Sequence, residues 1–245
     1  MPMGLGIGLS LDFGGKVGLF LPTAPADADY AFLSHPSYWA SDASHLVPCA
    51  AGDAIRWWKD AVTGTWYQQA TSGSRLIARL DATGKWYAEG TGTQQHPWVD
   101  LSAQSATNAT FAAAYRQYSA VPFAVIMRSG VRDLDFDGTS LKPATLNNNA
   151  SSRIVSASAD SLNTDYRNIA TFNGATTTLY HNGTQVAQTA ADTTSGNMSA
   201  NTSIFGLFGF TTYCPNGRFY GVAIFLTPSV NITTLDATLH GYCTS

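Results

Sequence analysis

Residues 169 to 187 read I-A-T-F-N-G-A-T-T-T-L-Y-H-N-G-T-Q-V-A, and this stretch decides the fold. It contains two Asn-Gly dipeptides, which are strong hairpin signals because both residues tolerate the positive φ of a type I′ turn. Asn173-Gly174 is predicted to close the strand 167 to 172, and Asn182-Gly183 to close the next strand. Three consecutive antiparallel strands are therefore expected. With a two-residue turn, the predicted pairs are His181 with Thr184, Tyr180 with Gln185, Leu179 with Val186, and Thr178 with Ala187.

The segment T-F-N-G-A-T-T-T-L-Y-H-N-G-T-Q-V resembles the central hairpin of laminin-G/concanavalin A-like jelly rolls, in which an L-Y-x-[DN]-G turn follows a strand ending in D-G or N-G. Upstream, S-D-A-S at 41–44, I-R-W-W-K-D at 55–60 and Q-A-T at 69–71 resemble the lead-in to jelly rolls of tailed-phage virion proteins. The chain departs from that pattern in D-A-V-T-G at 60–64, where the family often has D-x-S-G-N. The resemblance covers roughly residues 39 to 245. It implies an all-β, antiparallel jelly-roll sandwich of the concanavalin A-like type.

The two ends of the chain are predicted to form an arm and a helix rather than strands at the centre of the sandwich. Residues 1 to 22 alternate Gly with apolar residues, and because Gly has no side chain to pack, we expect an arm that docks on a neighbouring chain. An edge strand of the same sandwich is the alternative. A Pro/Ala/Asp linker follows, which divides the chain into an arm and linker, 1–37, and a sandwich domain, 38–245. Apolar residues at 232, 235 and 239 predict a short C-terminal helix that ends at Gly241.

Aromatic-rich and apolar runs between these ends predict the remaining strands. The length of 245 residues suits one sandwich, although length alone leaves two domains open. The runs 110–118 and 121–128 are interpreted as one long hairpin. The other predicted strands are 76–80, 85–89, 97–101, 152–157, 204–210 and 217–226.

Charged residues make up 12% of the chain, about half of the usual ~25%, so the surface must consist largely of Thr, Ser, Asn, Gln and Ala. Such a surface favours an extracellular or virion protein. The net charge is −3 with no basic run, which argues against nucleic acid as a partner. The glycine-broken N-terminal run predicts neither a signal peptide nor a membrane span. The three cysteines, Cys49, Cys214 and Cys243, fit either buried free thiols or a Cys214–Cys243 disulfide.

Carboxylates are the first candidates for chemistry, because glycosidases need a pair of them at the sugar bond. The chain has a single glutamate, Glu89, and lacks the E-x-D-x-E strand of the laminarinase-like branch. An Asp pair remains open, with Asp133, Asp135 and Asp137 as candidates that would share one face of a strand. The D-L-D-F-D-G run starts like an EF-hand loop, but position twelve is Ala144. A calcium ion at the sandwich edge and a solvated carboxylate edge are the two interpretations.

Aromatic residues are the second source of candidates. Trp57 and Trp58 are adjacent, so in a strand they must point to opposite sides, and Trp66 follows in the same lead-in. An exposed ring beside amides is what a sugar face requires. On this basis the predicted glycan-binding residues lie in a Gly/Gln-rich stretch: Trp86, Tyr87, Gln94, Gln95, His96 and Trp98. The alternative is that these rings pack in the core or at a subunit interface.

The resemblance to jelly rolls of tailed-phage virions implies a structural and adhesive virion component, in the tail, fibre or capsid decoration. Its expected partners are other virion subunits, further copies of the same chain in a homo-oligomer, and a host surface glycan. Neither G-x-S-x-G nor a phosphate loop occurs, and no zinc-type His or Cys spacing is present, so no enzymatic activity and no cofactor other than calcium is predicted. The alternatives are a glycan-active enzyme that uses an Asp pair, and a secreted cellular lectin.

Overall fold

The computed structural model describes residues 21–93, 96–105, 107–121, 124–130, 132–137, 140–148, 152–189, 196–206, 213–227 and 229–244. Within these ranges the chain forms short antiparallel strands and, near its end, one α-helix. The strands are β1 Tyr30–Leu33, β2 Trp39–Ala40, β3 Trp57–Lys59, β4 Trp66–Gln68, β5 Ile77–Leu80, β6 Trp86–Thr91, β7 His96–Val99, β8 Asn108–Ser119, β9 Val125–Ser129, β10 Arg132–Phe136, β11 Pro143–Asn148, β12 Ser152–Val155, β13 Asp165–Asn173, β14 Thr177–His181, β15 Thr184–Thr189, β16 Thr202–Ile204 and β17 Asn216–Phe225, and the helix is α1 Ile232–Thr244.

The strands form two large sheets and one small sheet. An eight-stranded sheet has the order β15-β14-β13-β8-β17-β6-β5, with β1 also paired to β17, and a six-stranded sheet has the order β12-β11-β10-β9-β16-β7. Strands β2, β3 and β4 form the small sheet. The prediction of an all-β antiparallel sandwich of the jelly-roll type with a short C-terminal helix is therefore confirmed.

The main core lies between the two large sheets. Strand β8 contributes Phe111 and Tyr115, and the six-stranded sheet contributes Leu134 and Phe136 from β10. A second cluster forms on the other face of the eight-stranded sheet, where Ala112 and other small residues of β8 meet the helix. Alternation along β8 thus supplies both layers.

The helix is three residues longer than predicted because its apolar stripe continues past Gly241. Leu235, Leu239, Tyr242 and Cys243 are all buried against the sheet, which carries the helical spacing through to Thr244. Its first turn is capped by Asn231, whose Oδ1 accepts from the Thr234 backbone N–H at 3.0 Å.

The central hairpin is confirmed at its turn and corrected along its strands. Asn182 and Gly183 have φ of 48° and 76°, as a type I′ turn requires, and His181 pairs with Thr184. Beyond Tyr180 a bulge shifts the register, so Leu179 pairs with Ala187 instead of Val186. The bulge leaves Val186 and Ala187 both packed against the main core.

The turn at Asn173 also differs from the prediction. Phe172 pairs with Thr177, so four residues, 173 to 176, separate the last cross-strand pair of β13 and β14 instead of two. The Asn173 Oδ1 atom accepts from Thr176 N at 2.7 Å and from Thr176 Oγ1 at 2.7 Å, which stabilises this longer turn.

The predicted hairpin of 110–118 with 121–128 is wrong. Strand β8 pairs with β13 and β17 in the eight-stranded sheet, whereas β9 pairs with β10 and β16 in the six-stranded sheet. Both strands have apolar faces that meet across the main core, so the chain changes sheets between them.

The N-terminal region is only partly described. Of the predicted arm, residues 1–20 lie outside the described residues, so the division into 1–37 and 38–245 stays a prediction. Within its linker, however, Tyr30–Leu33 is strand β1, paired with β17 from Tyr30↔Ile224 to Leu33↔Gly221. This part of the linker belongs to the sandwich.

All three cysteines are buried thiols, and the predicted alternative of a Cys214–Cys243 disulfide is not formed. Burial raises the pKa of both the Cys49 and Cys243 thiols to about 12. In the described part of the chain, no helix has the length and hydrophobicity needed to cross a bilayer.

Candidate functional site

The small sheet separates its side chains into an inner and an outer face. Register pairs Trp39 with Trp58 and Trp58 with Tyr67, so these three rings share the inner face. Trp57 pairs with Gln68 and Lys59 pairs with Trp66, which places these four side chains on the outer face. The prediction that Trp57 and Trp58 point to opposite sides is confirmed.

The inner face anchors the small sheet to the main core. The Trp58 ring is fully buried, stacks on Phe205 at 5.7 Å and meets Trp39 edge-on at 5.7 Å. Its indole Nε1 donates to the Leu33 carbonyl at 3.0 Å, so the ring also has its polar atom satisfied. Trp58 therefore fixes the position of the outer face.

A buried carboxylate holds the turn between β3 and β4. Asp60 accepts from the Val62 and Thr63 backbone N–H groups within the turn, and from the Ala31 N–H of β1 at 2.8 Å. The Thr63 hydroxyl donates to the same carboxylate at 2.6 Å. These bonds tie the small sheet to the eight-stranded sheet and hold Lys59 and Trp66 side by side.

Three rings meet on the outer face, and we call His45, Trp57 and Trp66 the aromatic cluster. The His45 imidazole stacks on Trp66 with centroids 4.6 Å apart and planes at 16°. It meets Trp57 edge-on at 4.5 Å and 73°. The rings thus form one continuous apolar surface, and both tryptophans remain partly exposed.

The loop 41–47 positions His45 on this surface. Asp42 accepts from the Ser44 and Val47 backbone N–H groups, both at 3.2 Å, which closes the loop. His45 adopts a left-handed conformation with φ of 60°, which turns its ring toward the tryptophans. The next residue, Leu46, is 82% exposed, so an apolar side chain projects beside the aromatic cluster.

Polar groups border the aromatic cluster. Lys59 Nζ lies 5.9 Å from the centroid of the Trp66 ring. With its amide oxygen turned toward the guanidinium, Gln68 accepts from Arg56 Nε and Nη2 at 3.3 Å. Arg75 lies close to Arg56, and its pKa is lowered, first by burial and then by the positive charge of Arg56. Gln68 and Lys59 therefore border the rings, and two arginines lie behind Gln68.

The structure describes the side chains of only two of the predicted glycan-binding residues, Trp86 and Tyr87. Trp86 meets Trp39 edge-on at 6.2 Å and packs against the main core. Tyr87 is 7% exposed, and the Arg218 guanidinium lies over its ring at 4.3 Å from the centroid. Gln94 and Gln95, and the side chains of His96 and Trp98, lie outside the described residues. Strand β7 runs beside β4 of the small sheet.

The chain shares a β-sandwich fold with domain 4 of the arabinanase AbnA. That domain, of a GH43 extracellular arabinanase from Geobacillus stearothermophilus, aligns with a TM-score of 0.57 at 9% identity over 88% of this chain and 100% of that chain. A sialidase from Trypanosoma rangeli aligns with a TM-score of 0.54 at 10% identity over 91% of this chain, which spans 34% of the sialidase. At such identities the similarity shows the fold alone. No protein-family model matches the sequence. No curated protein matches it significantly.

The predicted carboxylates of β10 are buried, so the solvated-edge interpretation is wrong for two of them. Asp133 and Asp135 are 0% and 1% exposed, and Asp137 is half-buried at the strand end. The Asp135 carboxylate forms an ion pair with Arg153 Nη2. Burial, and next the charge of Asp133, raises the pKa of Asp135 well above its usual range, while Arg153 opposes the shift.

The two carboxylates lack the access that a glycosidase needs. Asp133 and Asp135 are both buried, and Asp135 is paired with Arg153. The two carboxyls of a glycosidase stand about 5–9.5 Å apart and flank the sugar bond. Because neither buried carboxyl is open to a sugar, these two residues do not fit the roles of acid and base.

The calcium hypothesis for Asp133, Asp135 and Asp137 stays a prediction. Among the residues that the structure describes, no group of three or more His, Cys, Asp or Glu side chains is arranged to hold a metal ion. Arg153 already compensates Asp135, so we expect the melting temperature to be equal in about 10 mM calcium and in chelator. Binding with a Kd near 10⁻³ M would instead raise it by about 3–5 °C. Such a rise, measured by calorimetry, would re-establish the metal site.

A buried polar network lies at the opposite edge of the sandwich. Tyr115 donates to Asp160 at 2.6 Å, and Asn168 Nδ2 donates to the Tyr115 hydroxyl at 2.7 Å. His181 Nδ1 lies 2.7 Å from Asn168 Oδ1, and its Nε2 lies 3.4 Å from Asp160 Oδ1. Burial raises the pKa of Asp160 to about 7 and lowers the pKa of His181. The network joins three strands of the eight-stranded sheet to the β12–β13 connection.

Sequence reasoning noted Trp57 and Trp66 as aromatic residues of the lead-in but assigned glycan binding to the stretch from Trp86 to Trp98, and it did not single out the other members of the candidate site. The signal for Trp57 and Trp66 is the W-W-K-D…W-Y-Q pattern of two short strands joined by a turn. His45, Arg56 and Arg75 come from separate loops, and no local pattern links them to the rings.

Proposed function

We propose that the chain is a glycan-binding β-sandwich that serves as a structural and adhesive component of a tailed-phage virion. The observation that carries the glycan-binding part is the aromatic cluster: His45, Trp57 and Trp66 form a partly exposed surface on a rigid three-stranded support.

The cluster has the chemistry that a sugar ring needs. The C–H face of a pyranose is apolar and flat, and a tryptophan ring offers a matching surface with little loss of side-chain entropy. The hydroxyl groups at the edge of the sugar need hydrogen-bonding partners, and Gln68 and Lys59 lie at the edge of the rings. Trp58 and Asp60 hold this surface in place before any ligand arrives, which lowers the entropic cost of binding.

The similar domain 4 of AbnA was solved in complex with arabinotriose, which supports the idea that a sandwich of this kind can hold an oligosaccharide. The virion role rests on the sequence resemblance of residues 39 to 245 and on the low content of charged residues. A shallow site of this kind is expected to bind one sugar segment with a Kd on the order of 1 mM, about −4 kcal/mol. Many copies on one particle would convert this into firm adhesion.

The binding site is tested by replacing Trp66 with alanine. The variant loses the ring that stacks on His45, so we expect binding to an array of bacterial surface polysaccharides to fall by about tenfold or more. Leu162→Ala is the matched control, because Leu162 is an exposed apolar residue, 42% exposed, in the connection at the opposite edge of the sandwich. Its binding should equal that of the unchanged chain.

Equal binding by Trp66→Ala and Leu162→Ala would show that the aromatic cluster is not the glycan site. The virion role is tested separately, by labelling the chain with gold-conjugated antibody and locating it in intact particles by electron microscopy. Absence of label from particles, with the protein present in the surrounding medium, would favour the secreted lectin.

A further inference from the structure

The three cations near the aromatic cluster form no ion pair with a described carboxylate, in contrast to five other arginines of the chain. Arg79, Arg116, Arg153, Arg167 and Arg218 each form an ion pair with an aspartate or glutamate. Across the residues for which side chains are described, no such ion pair involves Arg56, Lys59 or Arg75.

These three cations are also brought together rather than scattered. Arg56 donates to Gln68, which lies on the outer face opposite Trp57, and Lys59 stands beside Trp66 on that face. Arg75 donates to the Gln69 and Ala70 carbonyls at 3.0 and 3.1 Å, which holds its guanidinium near Arg56. Like charges at close range repel, so an added anion would stabilise this arrangement.

The carboxylates of the same segment are used inside their own loops. Asp42 closes the loop that carries His45, Asp53 accepts from Ala50 N at 2.8 Å, and Asp60 is fully buried under the β3–β4 turn. Because the whole chain has a net charge of −3, general attraction cannot bring a polyanion to it. Any preference for an anion must come from a local group of cations.

We propose that the aromatic cluster takes an anionic sugar, with the ring on Trp57 and Trp66 and the acidic group on Arg56, Lys59 or Arg75. This inference rests on the proposed glycan-binding function and adds the class of ligand. The acidic group is a carboxylate, as in a uronic acid, or a sulfate or phosphate ester. A guanidinium recognises either group through two parallel hydrogen bonds.

The test compares two pairs of polysaccharides that differ only in charge. The probes are polygalacturonate with its carboxyl-reduced product, and dextran sulfate with dextran, each titrated against the full chain by calorimetry. We expect the acidic member of at least one pair to bind about tenfold more tightly than its neutral partner. The advantage should shrink as salt rises from about 0.05 to 0.5 M, because screening weakens exposed charge pairs. The pair that shows the difference identifies the acidic group.

Variants assign the effect to the site. Arg75→Gln should reduce the acidic preference severalfold and leave binding of the neutral partner unchanged. Lys59→Gln should weaken binding of the acidic partner more than binding of the neutral one, because Lys59 also lies within reach of the sugar hydroxyls. Arg79→Gln, which removes a cation that is already paired with Glu89 on the eight-stranded sheet, is the control and should keep the full preference. Loss of the preference in this control would place the anion elsewhere and overturn the inference.

Failure of the inference and failure of the proposed function give different results. Equal binding of acidic and neutral partners, lost in Trp66→Ala, overturns the anionic ligand and leaves the glycan site standing. Binding that Trp66→Ala does not weaken overturns both. No binding of any of the four probes, with binding to the polysaccharide array intact, overturns the anionic ligand alone.

Discussion

Replacement of Trp58 by alanine is expected to lower the free energy of unfolding by about 3–5 kcal/mol, the range for a large aromatic residue truncated in a core. The ring is fully buried against Phe205 and Trp39, so its loss leaves a cavity as well as removing apolar contact. The Leu33 carbonyl also loses its indole donor. For a chain of this length the melting temperature should fall by roughly 10 °C.

Replacement of the adjacent Trp57 is the matched comparison. Its ring lies on the outer face and is only half-buried, so Trp57→Ala should cost about 1 kcal/mol. The same change removes the ring that meets His45 edge-on, so glycan binding should be lost while the fold persists. Urea unfolding with equal m-values separates the two effects, since each midpoint then reports stability alone. If the two variants were equally unstable, the assignment of the two faces would be wrong.

These two neighbouring residues show how far the sequence alone leads. Successive side chains of a strand point to opposite faces, so the adjacency of Trp57 and Trp58 in the sequence is enough to predict that they face opposite ways. Which ring enters the core depends on Phe205 and Trp39, which are distant in the chain. Local geometry is therefore predictable, whereas the choice between core and surface needs the tertiary contacts.

The central hairpin shows the same division. Asn182 and Gly183 set the turn through their own backbone preferences, so the first two cross-strand pairs are as predicted. The bulge at Val186 depends on how β15 packs against the main core, which includes residues from the other large sheet. The predicted pairing of β8 with β9 was wrong for a related reason. Two strands that are close in sequence can still belong to different sheets.

The carboxylates of β10 extend this argument to charge. The alternation of Asp133 and Asp135 with Leu134 and Phe136 places the carboxylates on one face, and water is the default partner for such a face. The structure instead buries both carboxylates and pairs Asp135 with Arg153, a residue of strand β12. A buried charge needs a partner of this kind. The partner is 18 residues away in the chain, so no local sequence pattern predicts the ion pair.

The second large effect is expected at Asp160 and depends on pH. Burial raises the pKa of this carboxyl from its usual range to about 7. The folded state therefore holds a proton that the unfolded state releases near pH 4, so stability falls as pH rises from about 4 to 7. A shift of about three units corresponds to roughly 4 kcal/mol, which is fully lost above pH 7.

The geometry around Asp160 agrees with a protonated carboxyl. His181 Nδ1 faces the Asn168 carbonyl oxygen, so it carries the imidazole proton and leaves Nε2 as an acceptor. Asp160 Oδ1 stands 3.4 Å from that acceptor and can donate only when it is protonated. Burial, and to a smaller extent the positive charge of Arg167, lowers the pKa of His181 and keeps the imidazole neutral. The stability that comes from this neutral imidazole is lost as pH falls below about 6.5.

Asp160→Asn isolates the carboxyl from the histidine. An asparagine amide can still accept from Tyr115 and donate to His181 Nε2, so the variant should match the unchanged chain near pH 4.5. At pH 8 it should be more stable by up to about 4 kcal/mol, because no buried charge forms. Asp100→Asn is the control of opposite sign: hydrogen bonds from the Ser102 hydroxyl and backbone N–H lower the pKa of Asp100, so its removal should cost a little stability at pH 8 and nothing at low pH. Urea midpoints measured from pH 4 to 8 give both difference curves. A flat curve for Asp160→Asn would show that folding does not raise the pKa of Asp160.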